Sequence, residues 1–404
     1  MTLPDRLSAD WLKAPASRAV MAALEAVRPS SARYVGGCVR NTLRGLPAED
    51  IDIATQIMPE QVIAALETAG IRAIPTGIEH GTVTAVHDGV PIEITTLRRD
   101  VETDGRRAVV AFTEDWAEDA ARRDFRMNAI YAGADGTLHE VVPGSVADAL
   151  AGRVIFIGEA DQRLTEDYLR ILRFYRFNAW YGAGIDPDGQ AACARQKGGL
   201  GRIAAERIWK ELKRTLAAPD PSAAMLAMEE AGVLGVVLPP ASAALLPGLI
   251  AAENQAGLKP EPMRRLMALL PRRQRDVGEV SARLKLSKEE AVRLAAWADA
   301  ALPHVLGGNK TALAEIFYRF TPAAALDRAA IEAASGAPGD LAGVARLAAI
   351  WQRPKFPLGG PDALAAGLRG PTIGAALGQL EEAWIASGFR LTRDDLLSRL
   401  RPAD

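Results

Sequence analysis

Short runs of β-branched and alternating residues fill the first part of this chain, and Ala- and Leu-rich helix formers fill the rest. Residues 16–28 are rich in helix formers. Residues 33–35 read as a short strand running into Gly36-Gly37 and then a helix-like segment. Ile51, Ile53 and Thr55 favour a strand that carries Asp50 and Asp52 side by side on one face. Pro59 opens an amphipathic helix over 58–69. Residues 81–87 and 90–97 flank Asp88-Gly89, a strong hairpin signal. On its second strand Ile92 and Ile94 face one way, and Glu93 and Thr95 the other. Residues 98–115 are highly charged and read as a loop, with Gly105 as a flexible point. A strand over 129–132, a turn at Asp135-Gly136 and a further strand follow.

From about residue 145 the pattern becomes helical. Thr165 is placed to cap a helix with Glu166 and Asp167 in its first turn. A basic helix spans 195–214, and Ser287…Glu290 and Thr392…Asp395 signal further helix starts. Gly/Pro clusters at 337–339 and 357–361 read as loops. The pattern thus reads as α+β, strands interspersed with helices over roughly the first 145 residues and helices thereafter.

Composition narrows the function classes. A length of 404 residues makes two or three domains, and 49% hydrophobic with 24% charged residues is ordinary for a globular chain. A net charge of -2 argues against a uniformly basic nucleic-acid binder but leaves room for local basic patches, at 195–214 and at 259–275. Cys38 and Cys193 have no metal-ligand spacing, and a reducing cytoplasm fits. No run approaches about 18 apolar residues, so no membrane span is expected; no obligate protein partner is evident in the sequence either.

Two carboxylates as close as Asp50 and Asp52 repel each other unless a cation lies between them, and a hard divalent ion such as Mg²⁺ suits oxygen ligands. Glu93 becomes a third carboxylate if its strand face is the same one. Gly36-Gly37 followed by Arg40 can cradle a phosphate, because glycine admits close backbone approach and arginine adds a charge-assisted contact. Arg123, Asp124 and Asn128 offer donors and acceptors suited to a ribose and a triphosphate. Asp167, Arg170 and Arg173 fall at i, i+3 and i+6 and share a helix face. Each island alone also reads plainly as a solvated strand end, a tight turn or a surface ion pair.

Together, in order, the islands resemble the bacterial class II branch of the tRNA nucleotidyltransferase (CCA-adding enzyme) and poly(A) polymerase family. The matching residues are Gly36-Gly37-Cys38-Val39-Arg40, Asp50-Ile51-Asp52, Glu93 to Arg98, Arg122-Arg123-Asp124-Phe125 with Asn128-Ala129, Glu166-Asp167 with Arg170 and Arg173, and Glu206-Arg207-Ile208. They cover roughly 34–214; beyond that the likeness is only "helical". Two departures stand out: Asn41 where the family often has Asp, and no His-Pro after Gly105-Arg106.

The resemblance implies a polymerase-β-like nucleotidyltransferase head with a mixed sheet at 29–145, after an N-terminal helical segment at 1–28 and followed by an all-α remainder. It implies a helical neck at 146–216 and a body and tail at 217–404 that dock tRNA. It also implies transfer of nucleoside monophosphates from CTP and ATP to an RNA 3′ end. Asp50, Asp52 and Glu93 are then catalytic, with Asp50 and Asp52 holding two Mg²⁺ ions. Gly36, Gly37, Arg40, Arg123, Asp124, Asn128, Asp167, Arg170 and Arg173 bind the nucleotide. Asp167 and Arg170 would read the base, since cytosine and adenine both place a donor amine beside an acceptor ring nitrogen, and uracil and guanine reverse that order. Full CCA addition leads; poly(A) synthesis, partial CC or A addition, and a catalytically silent RNA-binding protein remain alternatives.

Overall fold

The computed structural model describes residues 3–103 and 108–400. They divide into two compact units, one ending at Val237 and the next starting at Leu238.

In the first unit, α1 (Asp10–Lys13) and α2 (Pro15–Val27) precede β1 (Ala32–Val35) and α3 (Gly37–Leu43). Next come β2 (Asp52–Thr55), α4 (Pro59–Thr68), β3 (Arg72–Gly77), β4 (Thr82–His87) and β5 (Val90–Thr96). Then follow β6 (Arg98–Thr103), β7 (Ala108–Phe112), α5 (Trp116–Ala121), β8 (Ile130–Ala132) and β9 (Leu138–Glu140). Helices α6 (Ser145–Ala151), α7 (Ala160–Glu166), α8 (Leu169–Tyr181), α9 (Pro187–Gln196) and α10 (Ala205–Leu216) lead towards the end of the unit.

Seven strands form one mixed sheet in the order β3-β4-β5-β2-β1-β8-β9. Its one parallel pairing is β2 with β5. The hairpin forms at Asp88-Gly89, both with positive φ, as a tight primed turn demands. Tyr34, Ile53, Ile94 and Val83 are consecutive register partners across four strands, and all are buried. Each such side chain contributes about 1.5–3 kcal/mol on burial. The first helices cover this row: Trp11 packs edge-on to Tyr34, whose hydroxyl donates to Ser17 O at 3.1 Å. On the opposite face Val35, Ala54 and Leu97 pack with Ala120 of α5, Ala129 and Tyr131. Asp52 and Glu93 belong to that second face.

The structure departs from the sequence reading in several places. β2 starts at Asp52, so Asp50 lies just before the strand. Its would-be partner β1 has already turned away at Gly36. The charged stretch expected as a loop forms an antiparallel ribbon, β6 with β7; the flexible point at Gly105 lies outside the described residues. Thr165 is no N-cap. It sits inside α7 and donates to Gln162 O, and the chain breaks at Asp167, whose carboxylate accepts from the first N–H of the next helix, Leu169 N, at 3.0 Å. The basic helix expected over 195–214 is the end of α9, a 3₁₀ stretch Lys197–Arg202 and α10.

The second unit is helical among its described residues. Its capping boxes at Ser287 and Thr392 form as expected. Its basic stretch at 259–275 is divided: Lys259, Arg273 and Arg275 are exposed, while other arginines turn inward. Arg264 and Arg265 are buried in an ionic network with Glu253 and Asp327, at 2.9–3.3 Å. Arg272 donates to the carbonyls of Trp297, Asp299 and Leu302. Burial without carboxylates would be prohibitive, so Arg264 and Arg265 serve the core. No helix among the described residues is long and apolar enough to cross a membrane.

Candidate active site

The parallel pairing of β2 with β5 sets Asp52 opposite Glu93. Residues in register on adjacent strands share a face, so the two carboxylates project together. The ladder reaches back one step, with Glu93 N donating to Ile51 O at 3.2 Å, and this places Asp50 beside the pair. Burial, Glu93 and Asp50 together push the Asp52 carboxyl up to about 6, against an opposing pull from Arg123. Among the described residues no three His, Cys, Asp or Glu side chains are gathered tightly enough to enclose an ion as they stand. Asp50 and Glu93 are both exposed.

Beside this strip, β1 gives way to Gly36, whose φ of +75° is costly for residues with a Cβ. A Cβ there would lie 3.7 Å from Arg123 Nη1 and 3.9 Å from Asn128 O. The bare turn thus faces two of the expected nucleotide-binding residues. One helical turn on, Arg40 is 5% exposed. Its Nη1 donates to Asn128 Oδ1, and Nε and Nη2 donate to Asn41 Oδ1 at 3.1 and 2.8 Å. The guanidinium also lies 3.9 Å from the Tyr181 ring centroid. Asn41 accepts these bonds without bringing a negative charge, while burial holds the Arg40 guanidinium below its ordinary range.

The segment from Arg123 to Asn128 is held to α8 by aromatic packing. Phe125 lies 5.0 Å from Phe156 and 5.0 Å from Phe177, centroid to centroid, and Phe156 stacks on Phe174 at 5.5 Å. That clamp brings Arg173 to Asp124, with Nε donating to Oδ2 at 2.8 Å and Nη2 closing the fork. Asp124 also accepts from Asn128 Nδ2 at 3.0 Å and from Phe125 N at 2.9 Å. Burial alone would raise the Asp124 carboxyl; Arg173 and these hydrogen bonds outweigh it and hold the group below its usual range.

Asp167 and Arg170 stand one turn apart at the start of α8, but their side chains have separate partners. Asp167 Oδ2 accepts from Arg207 Nη2 of α10 at 3.3 Å. Arg170 Nη1 donates to Arg163 O and Glu166 Oε2, at 2.7 and 2.6 Å, and Nη2 donates to Arg122 O at 3.3 Å. Three of its N–H groups are thus taken, and the others remain. Sequence reasoning did not place Glu166 and Arg207 among the site residues. It also passed over Asp119, which bonds Arg122, Arg123 and Tyr131. Its only trace in the sequence is a spacing of four from Arg123, which any helical ion pair shares.

Comparison with known proteins places this geometry. The family described as "Poly A polymerase head domain" matches residues 32–155, and "Probable RNA and SrmB- binding site of polymerase A" matches 184–245. The mouse protein CCA tRNA nucleotidyltransferase 1, mitochondrial, is 37% identical over 389 residues, spanning 91% of this chain and 86% of the relative. The CCA-adding enzyme of Geobacillus stearothermophilus is 36% identical over 230 residues, 56% of this chain and 53% of its own. The crystal structure of the Bacillus stearothermophilus CCA-adding enzyme in complex with CTP superposes with a TM-score of 0.75 at 26% identity, covering 95% of this chain and 96% of that one. The Thermotoga maritima CCA-adding enzyme complexed with tRNA shares the fold, at a TM-score of 0.69 and 18% identity over 99% of each chain.

Proposed function

This chain belongs to the CCA-adding enzyme and poly(A) polymerase family of nucleotidyltransferases, and we propose that it adds CCA to the 3′ end of tRNA from CTP and ATP, releasing pyrophosphate. The observation that carries this is the reach of the likeness, which runs through head and helical parts alike in relatives named for that reaction. We take residues 29–145 as the catalytic head and 146–216 as the neck that selects the nucleotide. Two free, buried cysteines accord with a reducing cytoplasm.

Asp50 and Asp52 are the residues we assign to hold Mg²⁺, with Glu93 as the third carboxylate. The donor set suits a hard cation, and the crowding of negative charge on Asp52 is what such a cation relieves. Exposed Asp50 and Glu93 have room to turn towards it. When bound, two such ions would supply Lewis acidity to the attacking 3′-hydroxyl and neutralise charge on the triphosphate.

The rest of the work falls to this chain's own groups. Gly36 and Gly37 let the backbone approach the phosphates, and Arg40 and Arg123 bring positive charge to them. Asp124 and Asn128 orient the ribose, and Arg173 keeps Asp124 ionised so that it can only accept. Asp167 accepts the exocyclic amine of C or A, while Arg170 donates to the ring nitrogen with an N–H not already committed. Uracil and guanine would set donor against donor and acceptor against acceptor.

The test is incubation with tRNA lacking its 3′ end, plus labelled CTP and ATP. Extension should stop at CCA. Long A tails on diverse RNAs would instead identify a poly(A) polymerase, and CC or A alone a partial enzyme.

A further inference from the structure

We infer that Asp119 is a positioning residue for nucleotide binding, clamping Arg123 so that one edge of its guanidinium stays turned to the Gly36 phosphate turn. The inference rests on the reading above that Arg123 meets the nucleotide's phosphates.

Asp119 lies in α5 at 1% exposure, with no route to the ligand itself. Its Oδ2 accepts from Arg123 Nη2 at 3.0 Å and from the Tyr131 hydroxyl at 3.0 Å. The same Tyr131 oxygen accepts from Arg123 Nε at 3.3 Å. The Nε–Nη2 edge of Arg123 is therefore closed by two buried partners that are bonded to each other. The backbone is pinned as well, since Arg163 Nη2 donates to Arg123 O at 2.7 Å. What remains is Nη1, the atom that stands 3.7 Å from the position of a Cβ on Gly36.

An unclamped arginine samples many rotamers and must be ordered when an anion arrives. A clamped one has been ordered by folding, so less binding free energy is lost. Charge supports the same assignment. Asp119 also accepts from Arg122 Nε at 2.9 Å, so one carboxylate serves two guanidiniums. The cluster keeps a net positive charge, and the clamp orients Arg123 without cancelling its pull on a phosphate. A carboxylate serving Arg123 alone would come closer to neutralising it.

The test compares wild type, Asp119→Asn, Arg123→Ala and the double variant. Tripolyphosphate, CTP and ATP serve as titrants, and thermal melting checks the fold. Asp119→Asn should weaken all three ligands about tenfold, leaving the preference for C and A over U and G, and tRNA affinity, unchanged. In the Arg123→Ala background the same substitution should add less than about twofold, because a residue acting only through Arg123 has nothing left to act on. A full tenfold loss in that background would overturn the inference. So would normal tripolyphosphate binding by Asp119→Asn when Arg123→Ala binds it weakly, an outcome that leaves the role of Arg123 intact. Normal binding by Arg123→Ala would remove the underlying reading as well. If Asp119→Asn does not fold, Tyr131→Phe removes only the bridging hydroxyl. It should weaken tripolyphosphate in the same Arg123-dependent way, and unchanged binding would sink the proposal.

Discussion

Asp52 stands where burial and two neighbouring carboxylates all oppose ionisation, and only Arg123 favours it. Such a group is held at a cost to stability unless a cation offsets the repulsion. Asp52→Ala should therefore reduce nucleotide transfer by roughly 10³-fold or more, while tRNA affinity, measured by filter binding, stays close to wild type. Transfer that survives this change would remove Asp52 from the chemistry. Asp167 works on a different term. Its Oδ2 is held by Arg207 at 3.3 Å, so the acceptor is oriented. Asp167→Ala should lower discrimination of CTP and ATP against UTP and GTP by roughly 10²-fold, and do so before catalysis is lost. Competition assays with all four nucleotides would show it; unchanged selectivity would undo the base-reading role.

At the scale of elements, the site depends on α8 being locked to the segment after α5. The aromatic cluster around Phe125 supplies the apolar part, and Arg173 with Asp124 the polar part. Arg173 is one-third exposed, with a side-chain accessibility of 33%. The pair is therefore worth less than a fully buried one, and Asp124→Asn should destabilise by about 2 kcal/mol. Its pH dependence has a definite sign. The folded Asp124 carboxyl is depressed, so its stabilisation is complete above the unfolded value of about 3.9. It is lost as pH falls through the lower folded value. The gap in Tm between wild type and Asp124→Asn should stay flat from neutral pH down to about 5 and close below about 4. A gap that widens in acid would contradict the ion pair.

For the whole molecule, the question is which positive charge meets RNA. Arg264 and Arg265 of the second unit are built into its core, while Arg273 and Arg275 stay exposed in ion pairs with Asp276 and Glu279. On the first unit Arg202, Lys210, Lys213 and Arg214 are exposed around α10. Phosphate contacts there release counterions, so tRNA affinity should fall steeply between low and moderate salt. Lys210→Glu with Arg214→Glu should reduce the slope of log Kd against log salt by about 1–2. An affinity that is flat in salt would count against docking on this face.

Local chemistry in the chain settled the elements and their punctuation. Asp88-Gly89 made the hairpin, alternation around Ile92 and Ile94 sent Glu93 to the opposite face, and Gly36 allowed a turn closed to other residues. Each of these depends on neighbours a few positions away, which a sequence displays. The order of the islands was also legible, and the family with it. Other features needed partners brought from far along the chain. Asp50 left the strand because β1 ends at Val35. Asp167 left the helix because α7 ends there and α8 starts afresh at Leu169. Arg264 and Arg265 turned inward because Glu253 and Asp327 wait there. Asp119 shows the limit most clearly: its spacing from Arg123 is visible in the sequence, but only the packing of β8 beneath α5 brings in Tyr131 and turns an ordinary ion pair into a clamp.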